Sequence, residues 1–163
     1  INVGTPDSPE PGDVRRYLRQ FLSDPRVIDI HPIGRWLLLN LVILPFRPKK
    51  SGEAYRQIWR KEGSPLRIYC EEIKEGLQNA LGDDYCVELG MRYGNPSIQS
   101  SLEKLNHCQQ IIVLPLFPQY SSAATGSAIA KTLELISKQW NIPAISVIDS
   151  FYNNKGFIFT IRI

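Results

Sequence analysis

No stretch of this chain is apolar over the roughly 18–20 residues that a membrane-spanning helix needs, so no span is expected. There is no basic start followed by an apolar signal core, which argues against export. Cysteine is scarce: Cys70, Cys86 and Cys108 stand apart, with no C-x-x-C pair. An odd, scattered set excludes a disulfide frame, points to reduced thiols in a cytoplasm and offers no metal or iron–sulfur site. Excess charge is lacking too. A net charge of +3 with no basic stripe interleaved with aromatics excludes nucleic acid as a partner. Neither G-x-G-x-x-G nor G-x-x-x-x-G-K-[ST] occurs, so the serines and threonines at 121–127, although they resemble a phosphate cradle, do not make a nucleotide site. Histidine is limited to His31 and His107, each explained as a surface or helix-end residue. No repeat and no low-complexity segment is present.

What is there is one domain's worth of ordinary globular sequence: 163 residues, 43% apolar and 21% charged. Short apolar runs alternate with helical periodicity, the pattern of a parallel sheet covered by helices. Strands are expected at 1–3, 85–91, 111–116 and 142–148. Helices are expected at 13–22, 53–60, 66–81, 96–107 and 127–140. Ser64 can cap the third of these with Pro65 in its first turn, and Ile68, Ile73, Leu77 and Leu81 then line its buried face. Residues 111–116 are apolar throughout, as a central parallel strand tends to be. Residues 157–163 are rich in β-branched side chains and are expected to form a strand. They stop in mid-run, and Ile1 opens the chain without a methionine, so the two ends suggest a fragment.

Ligands of such sheets bind beyond the carboxyl ends of the strands. Three loops qualify: Gly4-Thr5-Pro6, Arg92 to Pro96, and 117–127. Turn chemistry alone explains any one of them; three on one edge point to a site.

These loops carry a resemblance. Asn2-x-Gly4-Thr5-Pro6-Asp7, Gly63-Ser64-Pro65-Leu66, Met91-Arg92-Tyr93, and Leu116-Phe117-Pro118-Gln119-Tyr120-Ser121 followed by Thr125-Gly126-Ser127 resemble the ferrochelatase pattern in order and spacing. Ferrochelatases insert ferrous iron into protoporphyrin or coproporphyrin in haem biosynthesis. The resemblance implies a Rossmann-like, chelatase-type α/β fold, a parallel sheet of about four strands flanked by helices. It would be one of two similar domains that clamp a porphyrin. The N-terminal domain is assigned to 1–156, with 157–163 an atypical end and the second domain absent.

The resemblance implies a hydrophobic lip over the macrocycle, here within 33–50. Residues 33–45 are too apolar all round for a helix with one buried stripe. A lip over a flat ligand, a segment dipping into a membrane surface between Ile33 and Lys50, or a core helix would each account for that. Arg47, Lys49 and Lys50 follow directly. Arg47 and Lys50 are implied contacts to the porphyrin carboxylates, against the alternatives of anchoring to anionic lipid or a solvated charge run. Arg92 and Tyr93 are implied to lie beside the ring, unless Arg92 simply pairs with a carboxylate such as Glu88. Val3 is a steric contact only. Ser64, Gln119, Tyr120, Ser121 and Thr125 complete the implied substrate-binding set.

Metallation needs an acceptor for the two pyrrole protons, a task suited to a neutral histidine with a carboxylate beside it. The family's Ser-Tyr-His-Gly-Leu-Pro block and its later glutamate are not in this sequence. The chain therefore reads as a porphyrin-binding half, inactive alone, with no catalytic residue, no bound metal and no cofactor; Fe²⁺ is substrate. The alternative is a free-standing tetrapyrrole-binding or membrane-surface module. A small cobalt-type chelatase working as a homodimer has the right size but would need a histidine at a strand end. A cytoplasmic location is expected, or one peripheral to the inner membrane if the lip meets lipid.

Overall fold

The computed structural model describes residues 1–161. Strand β1 (Asn2–Thr5) leads into α1 (Pro11–Ser23), whose Val14, Tyr17 and Leu18 recur at helical spacing and are buried. Helix α2 (Pro32–Leu37) passes through a π-helical stretch (Leu38–Ile43) into α3 (Leu44–Ile58). Leu39 and Leu44 pack with Val14, Tyr17, Leu18 and Tyr93 into one core cluster, which pins this segment onto α1. Helix α4 (Pro65–Leu81), β2 (Met91–Gly94), α5 (Ile98–Lys104), β3 (Gln110–Val113), a second π-helical stretch (Ser122–Gly126), α6 (Ser127–Ile136), β4 (Ala144–Val147) and α7 (Lys155–Ile161) follow.

The sheet is parallel, as expected, but built as two ladders. β1 pairs with β2 (Gly4 opposite Tyr93) and β3 with β4 (Ile111 opposite Ile145). Ile1 joins them: its nitrogen donates to the Leu114 carbonyl at 2.7 Å and its carbonyl accepts from Leu116 at 2.7 Å. The spatial order is therefore β2-β1-β3-β4. Ile98, Leu102, Ile111, Val113 and Ile136 form the core beneath α5 and α6. Cys70, Leu89 and Met91 form another beneath α4.

Several expectations shift. The second strand begins at Met91 rather than 85, because the Gln78 side chain occupies the preceding backbone. Gln78 accepts from the Val87 amide at 2.9 Å and donates to the Tyr85 carbonyl at 2.9 Å, doing what a neighbouring strand would do. Ser64 does not cap α4; its hydroxyl is turned to Thr5. Of the stripe expected to be buried on α4, Ile73, Leu77 and Leu81 are exposed and Cys70 is the buried residue. β3 alternates instead of burying both faces, with Ile112 53% exposed.

The last element is helix, not strand. Asn154 accepts from the Gly156 amide at 2.9 Å and the Phe157 amide at 3.3 Å, capping α7, and Phe157 packs edge-on against Phe151. A cap and a local aromatic contact override the β-propensity of the run. Arg162 and Ile163 of the expected strand lie outside the described residues. Among the described residues no helix is long and apolar enough to cross a membrane.

Candidate functional site

The strand ends set the geometry. Gly4 and Gly94 both take positive φ, and a β-carbon on Gly4 would fall 1.8 Å from the Tyr93 carbonyl oxygen. Only glycine lets the ends of β1 and β2 approach so closely. The Tyr17 hydroxyl donates to the Gly4 carbonyl at 3.2 Å, and Thr5 donates to the buried Ser64 hydroxyl at 3.0 Å. Two of the family-like blocks, far apart in sequence, are thus bonded side chain to side chain.

The third and fourth blocks meet at a carboxylate. Asp24, at the end of α1, is 6% exposed and accepts from Arg92 Nη2 at 2.6 Å, from the Tyr93 hydroxyl at 2.8 Å, from the Ser127 hydroxyl and from the Arg26 amide at 2.8 Å. Arg92 Nε also donates to Ser127 Oγ at 2.7 Å. Burial alone would raise the Asp24 pKa, but the bonds from Ser127, Arg26 and Tyr93 and the Arg92 charge outweigh it and hold the carboxyl below its ordinary value. Burial, reinforced by the Asp24 charge, pushes the Tyr93 phenol up to about 12 against the opposing pull of Ser127 and Arg92. At neutral pH the cluster is a neutral phenol and an ion pair, with every buried side-chain polar atom among the described residues satisfied.

Arg92, Tyr93 and the 117–127 loop therefore lie on one edge. Thr125 is fully buried, its hydroxyl accepting from the Ser121 amide at 3.4 Å, and Gly126 donates to the Ser121 carbonyl at 3.0 Å, so the turn is closed on itself. Arg26 reaches Ser122 at 3.2 Å from the other side. Gln119, Tyr120 and Ser121 are exposed at the rim, and Val3 is half-buried beside the α1 core.

Two expectations about the pair change. The carboxylate partner of Arg92 is Asp24; Glu88 pairs instead with Lys104 at 3.0 Å. Tyr93 is 1% exposed, its ring against Phe21 and under the Arg92 guanidinium, so its face is occupied. Asp24 lies outside the expected set of site residues. Its signal is a carboxylate at a helix C-terminus, where the dipole disfavours negative charge and a cation has to compensate.

Beside this edge the lip segment presents two faces. Leu39 and Leu44 are buried; Ile33, Trp36, Leu37, Leu41, Val42 and Phe46 are exposed. It is neither a core helix nor an ordinary amphipathic one, because its outer face is apolar too. Arg47 and Lys50 stand exposed on α3 just beyond. A cavity of about 370 Å³ opens between α1 and this segment, lined by Arg19, Arg35, Trp36 and Asn40 among others.

Among the described residues no three His, Cys, Asp or Glu side chains gather to hold a metal. His31 Nδ1 accepts from the Ile33 amide at 3.4 Å as a cap of α2, and His107 is exposed after α5. Neither belongs to the strand-end cluster.

The family model described as Ferrochelatase matches residues 1–162 of the chain. Ferrochelatase of Coxiella burnetii is 52% identical over 160 residues, covering 97% of this chain and 44% of its own length. Ferrochelatase of Legionella pneumophila is 50% identical over 158 residues, covering 97% of this chain and 48% of its own length. The chain thus spans about half the length of the curated relatives it matches.

Proposed function

The chain belongs to the ferrochelatase family, and from that premise we propose that it is the half that receives and holds the porphyrin while the other half supplies the proton acceptor for iron insertion. The observation that carries this is the outward apolar face of the lip, with Trp36 and Leu41 60% and 62% exposed beside a rigid polar strand-end floor.

A porphyrin is a flat apolar ring with carboxylates at its margin. Covering it with the lip removes apolar surface on both partners from water, about 25 cal/mol per Å². Arg47 can take a carboxylate through two parallel hydrogen bonds, and Lys50 adds a point charge. The exposed Gln119, Tyr120 and Ser121 meet the ring edge. The floor beneath them is fixed by Asp24, Arg92, Tyr93 and Ser127, so binding spends little on ordering it. Arg92 and Tyr93 act through that floor, and Val3, Ser64 and Thr125 shape it. Binding energy gathered here can contribute to bending the ring toward the metallated geometry.

The same outer face, with Arg47, Lys49 and Lys50 beside it, also suits an anionic membrane surface, each cation there contributing about 1 kcal/mol. A ring seated between lip and wall would be shielded from water on either arrangement.

Porphyrin titration tests the reading through tryptophan fluorescence. Trp36 should be quenched strongly on binding, and Trp36→Phe should remove most of the quenching, leaving that of Trp59 and the exposed Trp140. Quenching left unchanged by Trp36→Phe would place the ring elsewhere.

A further inference from the structure

Two arginines stand at the strand-end edge, and their charges are not equally met. Arg92 is held on two sides: Nη2 donates to Asp24 at 2.6 Å and Nε to the Ser127 hydroxyl at 2.7 Å. The Asp24 carboxylate answers its charge. Arg26 is the opposite case. It lies exposed in the connection between α1 and α2, where the chain enters the lip. Its backbone amide is fixed to Asp24 at 2.8 Å, while its guanidinium donates to the Ser122 hydroxyl at 3.2 Å. Among the described residues no carboxylate oxygen lies within 4.0 Å of that guanidinium.

Gly126 shows what stands beside it. A β-carbon there would fall 2.9 Å from the Tyr120 hydroxyl and 3.3 Å from Arg26 Nη1. The two groups therefore converge over one glycine. Its φ of −62° is open to any residue, so it is the missing side chain that makes the space. Tyr120 is 58% exposed and Ser122 is exposed too. A guanidinium, a phenol and a hydroxyl from two distant segments thus meet at one open point, and each can donate a hydrogen bond.

We propose that Arg26, with Tyr120 and Ser122 beside it, is a carboxylate-binding site that takes a margin carboxylate of the porphyrin. The inference rests on the reading of the chain as the half that receives the ring. A guanidinium fork matches a carboxylate through two parallel hydrogen bonds, whereas Ser122 offers it one neutral acceptor. Exchanging that single bond for the pair strands no buried group, because the Ser122 hydroxyl can turn to water. The two arginines then divide the work: Arg92 holds the floor, and Arg26 meets the ligand. Arg47 and Lys50 stand on α3, past the lip's apolar stretch, so the ring's margin is held from both ends of that stretch.

Methyl esterification separates the carboxylates from the ring and tests this. The 163-residue chain and its Arg26→Ala variant are titrated with protoporphyrin and with its dimethyl ester in the same detergent, following tryptophan quenching. Arg26→Ala should weaken binding of the free acid about fivefold and that of the ester less than about twofold, as removal of one exposed charge pair would. Quenching at saturation should keep its wild-type level, because the ring still lies beneath the lip. Arg26→Gln, which can keep a bond to Ser122, repeats the comparison if the alanine variant does not fold. In the same chain joined to the remainder of the Legionella pneumophila relative, Arg26→Ala should raise the porphyrin KM by a similar factor with kcat little changed. Equal losses for acid and ester would overturn the inference and leave Arg26 a structural link to Ser122. Acid affinity and KM untouched by the substitution would sink it alone, with the wild type still binding. Absence of porphyrin binding by wild-type chain and joined protein would instead overturn the reception reading, and this inference with it.

Discussion

Asp24 is the residue on which the strand-end cluster turns. It holds Arg92, Tyr93 and Ser127 together, so removing it leaves a guanidinium half-buried without its counter-charge. Loss of one member of a buried pair costs about 3–5 kcal/mol, and Asp24→Ala should lower stability to denaturant by about 3 kcal/mol, with Asp24→Asn milder. The pH dependence has a fixed sign. The folded pKa is depressed below the unfolded value of about 3.9, so the contribution is complete above about pH 4 and fades as pH falls through the folded pKa. Stability of wild type and Asp24→Asn should converge on acidification, in equilibrium unfolding followed by circular dichroism. A difference that stayed constant to pH 2 would contradict the assignment. Gly4 is a purely steric case: Gly4→Ala drives a β-carbon into the Tyr93 carbonyl and should cost about 3 kcal/mol or more.

Little of this residue-scale arrangement was legible beforehand. The motifs marked Arg92, Tyr93 and Ser127, but nothing local ties them to Asp24, 68 and 103 positions away from Arg92 and Ser127. Side-chain closure between distant segments has no periodic signature.

Among the elements, the lip separates stability from binding. Leu39 is 3% exposed and shares a core with α1, so Leu39→Ala should cost about 2–5 kcal/mol. Leu41 is exposed on the other side, so Leu41→Ser should leave stability within about 0.5 kcal/mol while weakening porphyrin affinity several-fold. The pair of measurements, thermal unfolding and porphyrin titration, should move in opposite order for the two variants. At α7, Asn154→Ala removes the cap and should lower helicity and stability by about 1 kcal/mol, seen as faster amide exchange over Gly156 and Phe157.

Periodicity did reveal α1, which buries one face within this chain, and turn and cap residues marked β1 and the start of α4 at Pro65; α6 starts at Ser127 as expected but ends at Ile136 rather than 140. It failed where a single side chain decided the outcome. Gln78 takes 85–87 out of the ladder, and Asn154 turns a β-branched run into helix. The α4 stripe was read correctly as apolar, yet its burial depends on what lies against it, which a pattern along the chain does not specify.

The whole molecule is a parallel sheet whose strand-end edge brings together the blocks that carry the family likeness. A flat acidic ligand is the proposed occupant of that edge. Among the described residues no histidine joins a carboxylate at that edge: His31 caps α2 and His107 lies exposed after α5. The proposed division of labour is reception here and proton removal elsewhere. The most direct measurement is iron insertion, followed by the loss of porphyrin fluorescence under anaerobic Fe²⁺, with the 163-residue chain alone and with the same chain joined to the remainder of a relative. Porphyrin binding without metallation is expected for the chain alone, and turnover once the remainder is present. Catalytic turnover by the 163 residues unaided would contradict it.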